Sequence, residues 1–209
     1  MTRLLSLILI AWFGAAESAE EVDVLGGGDA AAGANKITTC LACHGQDGNS
    51  VNGEWPKLAG QHQRYLVRQL SLYKSGGRQN AIMAGMSAAL SEQDMADIAA
   101  HYSSQTLKPG VADPALVDHG EELYRSGDAE RAIPACMACH GPTGEGNPLA
   151  LYPRLAGQHA QYTATQLKLF RDGAVWGTGE KANAVMSEVA AGLTDADIEA
   201  LASYLQGLH

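Results

Sequence analysis

The sequence predicts an all-α protein of two tandem domains related by internal duplication, and three observations carry that prediction. The pattern Cys-x-x-Cys-His occurs twice, at Cys40-Leu41-Ala42-Cys43-His44 and Cys136-Met137-Ala138-Cys139-His140, and uses all four cysteines of the chain. A second segment, Trp55-Pro56-Lys57-Leu58-Ala59-Gly60-Gln61-His62, returns as Tyr152-Pro153-Arg154-Leu155-Ala156-Gly157-Gln158-His159. Each half then closes on a capping pattern, Ser91 with Asp94 and Thr194 with Asp197, ahead of an apolar run of helical period. Self-similarity at a near-constant offset, 96 at the cysteines and 97 at the second segment, marks two copies of one unit.

The elements follow in chain order. Residues 1–19 carry one positive charge, a short apolar run from Leu4 to Phe13 and then small residues, the pattern of a secretory signal peptide cut between about residues 16 and 22. Residues 20–28 are acidic and then glycine-rich, a flexible lead-in. The first domain spans 29–106, the linker 107–112 and the second domain 113–209. In each half a middle helix is expected, with Leu66, Gln69, Leu70 and Tyr73 on one stripe and Thr163, Gln166, Leu167 and Phe170 on its counterpart. A loop bearing methionine follows, Met83 in one half and Met186 in the other, and six added residues fall around Ala174–Gly179. Asp113 and Pro114 form the cap and first position of the helix that opens the second half and ends near Ser126-Gly127.

Two thiols three positions apart, followed directly by an imidazole, are the attachment chemistry of a c-type haem. Cys40 and Cys43, and again Cys136 and Cys139, each reach one vinyl group of a porphyrin, and His44 or His140 then faces the iron. With 7 histidines in 209 residues, a histidine directly after both pairs has a chance probability on the order of one in a thousand. Zinc wants four ligands in a tetrahedron, which a histidine adjacent to its cysteine serves poorly. A thioredoxin-like redox pair wants a βαβ context that the sequence lacks. Two covalent haem c groups are therefore expected, and they account for domains of this size having only 6 % aromatic residues.

The second face of each iron has few candidates. Methionine there raises the reduction potential and closes the coordination sphere. Met83, Met86 and Met95 compete in the first half, and the repeat selects among them: Met83 aligns with Met186, Met86 with Val189 and Met95 with Ile198. Met83 and Met186 are the expected ligands, with Met86 and Met95 assigned to the core. His62 and His159 also repeat, but they precede the middle helix, so a helix-start or surface role is expected for them. His101, His119 and His209 have no histidine counterpart and are expected to be structural or exposed. Pro56 lies 12 residues after His44 and Pro153 lies 13 after His140, a loop length that can return a backbone carbonyl to the ligand imidazole and fix its tautomer.

Charge is unevenly spread. Residues 29–110 hold seven Lys/Arg against six Asp/Glu, whereas residues 111–209 hold six against thirteen. Nucleic acid and anionic lipid are poor partners for such a chain; the acidic half is either a solvated face that keeps an exported protein soluble or a docking face for a basic partner.

Taken together, both CACH-ending motifs, the Pro-Lys/Arg-Leu-Ala-Gly-Gln segment, the helices bearing Tyr65 and Tyr162, the late methionines and the ending Ser203–His209 resemble class I cytochromes c. Their tandem order resembles the di-haem cytochrome c4 family over essentially everything after the leader. The resemblance implies two class I cytochrome c domains in pseudo-twofold relation, haem propionates near the domain interface, and ligand pairs His44/Met83 and His140/Met186. It also implies a monomeric periplasmic electron carrier, free or peripheral to the membrane, exchanging electrons with redox protein partners, a donor complex and a terminal oxidase or dehydrogenase. No catalytic residues are expected. The competing readings are the haem subunit of a larger, flavocytochrome-type dehydrogenase and a di-haem peroxidase.

Overall fold

The computed structural model describes residues 27–179 and 182–209. The leader and residues 20–26 of the lead-in lie outside the described residues. Ten helices and no β-strand occur among those described, with three isolated bridges, Asp128 to Ile133, Asn147 to Tyr152 and Trp176 to Asn183.

The first half contains α1 (Ala30–Ala34), α2 (Leu41–His44), α3 (Gln63–Ser75), α4 (Ala81–Ser87) and α5 (Glu92–Ser103). The second repeats the order as α6 (Pro114–Ser126), α7 (Met137–His140), α8 (Ala160–Arg171), α9 (Val185–Ala190) and α10 (Asp195–Gly207). Both closing helices start with full capping boxes: the Ser91 and Thr194 side chains accept from the Asp94 and Asp197 amides, and those carboxylates accept in return. Asp113 caps α6 with Pro114 in its first turn, and Gly127 ends it.

In each half the first helix crosses the last, and a glycine permits the approach. A Cβ at Gly33 would lie 2.0 Å from the Asp97 carbonyl oxygen, and one at Gly120 would lie 2.4 Å from that of Ala200. The middle helix packs on the same closing helix, and the short methionine-bearing helix packs on the middle one. The first core is small, built from Ile37, Leu66, Ile98, Ala99 and Tyr102; the second is larger and includes Leu123, Tyr124, Phe170, Ile198, Leu201 and Leu205.

Two expectations change. The methionine segments are short helices, not loops: the Asn80 side chain accepts from the Met83 amide and starts α4. Such short helices are held by packing and leave too few residues for a periodic signal. Met86 is not in the core; it is 45 % exposed beside Ile82 at 64 %. These two positions, four apart, share the face of α4 turned away from α3. Met95, by contrast, is buried in α5.

Gly120→Ala forces a methyl group into the Ala200 backbone and is expected to lower the unfolding free energy of the haem-loaded protein by about 1–3 kcal/mol. Denaturant unfolding measures it, and an unchanged midpoint would refute the close-crossing account.

Candidate functional site

Each Cys-x-x-Cys-His motif forms one helical turn. The His44 amide donates to the Cys40 carbonyl at 2.9 Å and the His140 amide to that of Cys136 at 3.0 Å. Positions three apart in a helix share a face, so Cys40 and Cys43, and likewise Cys136 and Cys139, present their thiols together. No disulfide joins them; all four are free. Cys40 and Cys136 lie against the apolar cores, and burial pushes the Cys136 thiol up to about 11.

Both motif histidines are buried. His44 Nδ1 lies 2.9 Å from the Pro56 carbonyl and His140 Nδ1 lies 2.9 Å from the Pro153 carbonyl, so Nδ1–H donates in each ring. Burial lowers the pKa of both imidazoles against the opposing pull of those carbonyls, which keeps the rings neutral. A neutral ring with Nδ1 protonated leaves Nε2 as a free lone pair, and no described protein group bonds it. Two thiols on one turn beside an imidazole with a free Nε2 are a donor set that suits a covalently held haem.

A tyrosine braces each turn, but from a different helix in each half. Tyr102 of α5 donates to the Gly45 carbonyl at 3.4 Å, whereas Tyr124 of α6 donates to that of Gly141 at 2.6 Å. The repeat places Leu205 at the position of Tyr102, so the closing helix of the second half carries a buried aliphatic residue where that of the first carries the bracing tyrosine. Met83 lies on α4 and Met186 on α9, where Met186 packs against the second core.

The repeated Lys/Arg-Leu-Ala-Gly-Gln-His segments meet each other. The Gln61 amide nitrogen donates to the Arg154 carbonyl at 2.9 Å, and the Arg154 amide donates to the Gln61 side-chain oxygen at 3.0 Å. Its image pairs Gln158 with Lys57 at 2.9 and 2.8 Å. His62 Nε2–H donates to the Glu145 carbonyl at 2.7 Å and His159 Nε2–H to that of Ser50 at 2.8 Å, each across the seam. Burial, helped by the Lys57 ammonium, holds the His159 imidazole below its ordinary pKa although the Ser50 carbonyl favours the charged form. Positive φ at Gly60 (65°) and Gly157 (72°) lets each segment turn back, where its amide meets Tyr102 or Leu205 of the closing helix. The histidines do stand at the N-caps of α3 and α8. The sequence displayed their duplication, but not that each points into the other half.

The family model for cytochrome c matches this chain twice, over residues 30–105 and 117–209. The cytochrome c4 of Azotobacter vinelandii is 51 % identical over 191 residues, spanning 87 % of this chain and 90 % of that one. The chain belongs to the cytochrome c4 family. The crystal structure of reduced recombinant cytochrome c4 from Pseudomonas stutzeri superimposes with a TM-score of 0.82 at 50 % identity, covering 87 % of this chain and all of that one. A thiosulfate dehydrogenase electron acceptor from Thiomonas intermedia is 39 % identical, over 84 % of this chain and 81 % of its own length. As a cytochrome c4 relative built of two cytochrome c domains, the protein is a di-haem electron carrier with two covalent haem c groups.

Gln61→Ala and Gln158→Ala each strip two backbone groups of the opposite domain of their partner. Each is expected to cost about 1–3 kcal/mol and to split the unfolding of the two halves into separate transitions. Denaturant titration followed at the haem absorption reads this, and a single unshifted transition in both variants would contradict the seam as described.

Proposed function

We propose that the protein carries electrons through the periplasm between respiratory-chain components, toward a terminal oxidase, and has no substrate-transforming site. In this reading Cys40, Cys43, Cys136 and Cys139 form the thioethers. His44 and Met83 hold one iron, and His140 and Met186 the other. Pro56 and Pro153 orient the two imidazoles. When bound, haem supplies an iron that takes up and gives up one electron. The chain keeps both imidazoles neutral and aimed, excludes water from them, and holds the two sites in one body through the glutamine seam.

The observation that carries the reading is the pair of buried imidazoles, each with Nδ1–H on a proline carbonyl at 2.9 Å, in two domains locked by reciprocal hydrogen bonds. Such rigidity suits electron transfer, which needs little rearrangement. Periplasmic location rests on the leader and the attachment motif. No helix among the described residues is long and apolar enough to cross a membrane. The name borne by the Thiomonas intermedia relative favours a second reading, in which a thiosulfate-oxidising dehydrogenase is the electron donor. Reduction of the purified protein by such a dehydrogenase and thiosulfate would support it.

Met83→Ala and Met186→Ala are each expected to remove about half of the weak far-red sulfur-to-iron band of the oxidised protein while leaving two covalent haems per chain. Retention of the full band in either variant would assign that ligand elsewhere. The acidic second half is proposed as the docking face for a basic partner. Electron exchange should then slow as salt rises and slow further on reversing Glu121 and Glu122, whereas a rate indifferent to salt would refute it.

A further inference from the structure

Each motif histidine is joined to the opposite half through a single peptide unit. The carbonyl that accepts His44 Nδ1–H belongs to the Pro56–Lys57 peptide, and the N–H of that same peptide donates to the Gln158 side-chain oxygen of the other half, at 2.9 and 2.8 Å. In the second half the Pro153–Arg154 peptide accepts from His140 Nδ1–H at 2.9 Å and donates to the Gln61 side-chain oxygen at 3.0 Å. Both peptides are trans, so C=O and N–H point in opposite directions, one to the imidazole of its own half and the other across the seam.

The two glutamine oxygens are held from a second side. Each also accepts from the amide of the residue that follows it, His62 or His159, at 3.0 Å, which occupies both lone pairs and sets the direction of the side chain. Each amide nitrogen donates to the carbonyl of Arg154 or Lys57 at 2.9 Å, so the glutamine grips that residue on both backbone groups. Gln61 is only 7 % exposed, which leaves water little access to take its place.

Hydrogen bonds that share one peptide strengthen each other. Donation from the N–H shifts amide density toward the carbonyl oxygen and makes it a better acceptor. A better acceptor draws Nδ1–H more strongly and makes the ring a stronger donor at Nε2. Stronger donation by the ring favours the oxidised form of an iron that it holds. The wiring is crossed: Gln61 follows Pro56 by five residues, yet its oxygen serves the peptide behind His140.

We propose that Gln61 and Gln158 are positioning residues for the iron of the opposite half: each sets, through one shared peptide, the strength of the hydrogen bond behind the other half's ligand histidine, and so lowers the reduction potential of a haem outside its own domain. The proposal rests on the di-haem reading above.

NMR of the Nδ1–H protons of His44 and His140 in the reduced protein reads the two hydrogen bonds separately, and potentiometric titration reads the haems, once haem content has been counted. Gln158→Ala is expected to move the His44 signal upfield and to raise the reduction equilibrium constant of one haem about threefold, an upward shift of about 28 mV for one electron. Gln61→Ala is expected to do the same to His140 and to the other haem. Gln158→Glu and Gln61→Glu keep an acceptor oxygen and are expected to leave the crossed Nδ1–H signal at or downfield of its native position. An alanine variant that moves the histidine of its own half, both histidines equally or neither, or a glutamate variant that moves the signal as far upfield as alanine does, would overturn the proposal in favour of glutamines that only fasten the domains. Fewer than two haems in the native protein would instead defeat the carrier reading on which it rests.

Discussion

Two buried imidazoles, each giving Nδ1–H to a proline carbonyl at 2.9 Å, are the fixed points around which this fold is arranged. The carbonyl selects the tautomer, burial keeps the ring neutral, and the helical turn before it sets two thiols on one face. Each domain is otherwise thin, the first with only five residues in its buried apolar cluster. Chains of this length bury too little surface to be robust alone, so an apolar disc held by the motif is as much a structural element as a functional one.

The second organising feature is the seam. Gln61 and Gln158 satisfy backbone groups of the opposite domain in mirror fashion, and His62 and His159 extend the same exchange. Hydrogen bonds of this kind contribute modestly when made and cost more when broken, so they specify one relative placement of the domains more than they stabilise it. A carrier with two redox centres gains from such a placement, because electron exchange between them depends on a fixed separation. The Arg78 guanidinium, which lies over the Trp176 ring of the other half, departs from the symmetry where the second repeat is longer than the first.

Much of the architecture was legible in the residues. Capping boxes at Ser91 and Thr194, the Asp113-Pro114 start and the glycine after Ser126 are local signals whose physics does not depend on the rest of the chain. The stripes through Leu66 and Tyr73, and through Thr163 and Phe170, report burial directly. What escaped were the short helices carrying Met83 and Met186, too brief to show a period, and the exposure of Met86, which depends on which face of α4 meets α3. The partners of Gln61 and His62 escaped for another reason. Duplication shows that a residue recurs, but not that its side chain crosses to the other copy. That Tyr102 and Tyr124 brace the two motif turns from different helices was hidden likewise, since Leu205 at the position of Tyr102 reads only as a break in the repeat.

The most direct test of the account is a potentiometric titration of the purified native protein with haem counted per chain. The account predicts two covalent haems, two reversible one-electron steps and a full far-red sulfur-to-iron band in the oxidised state. A single haem, a high-spin iron or turnover of peroxide at enzymatic rates would contradict it.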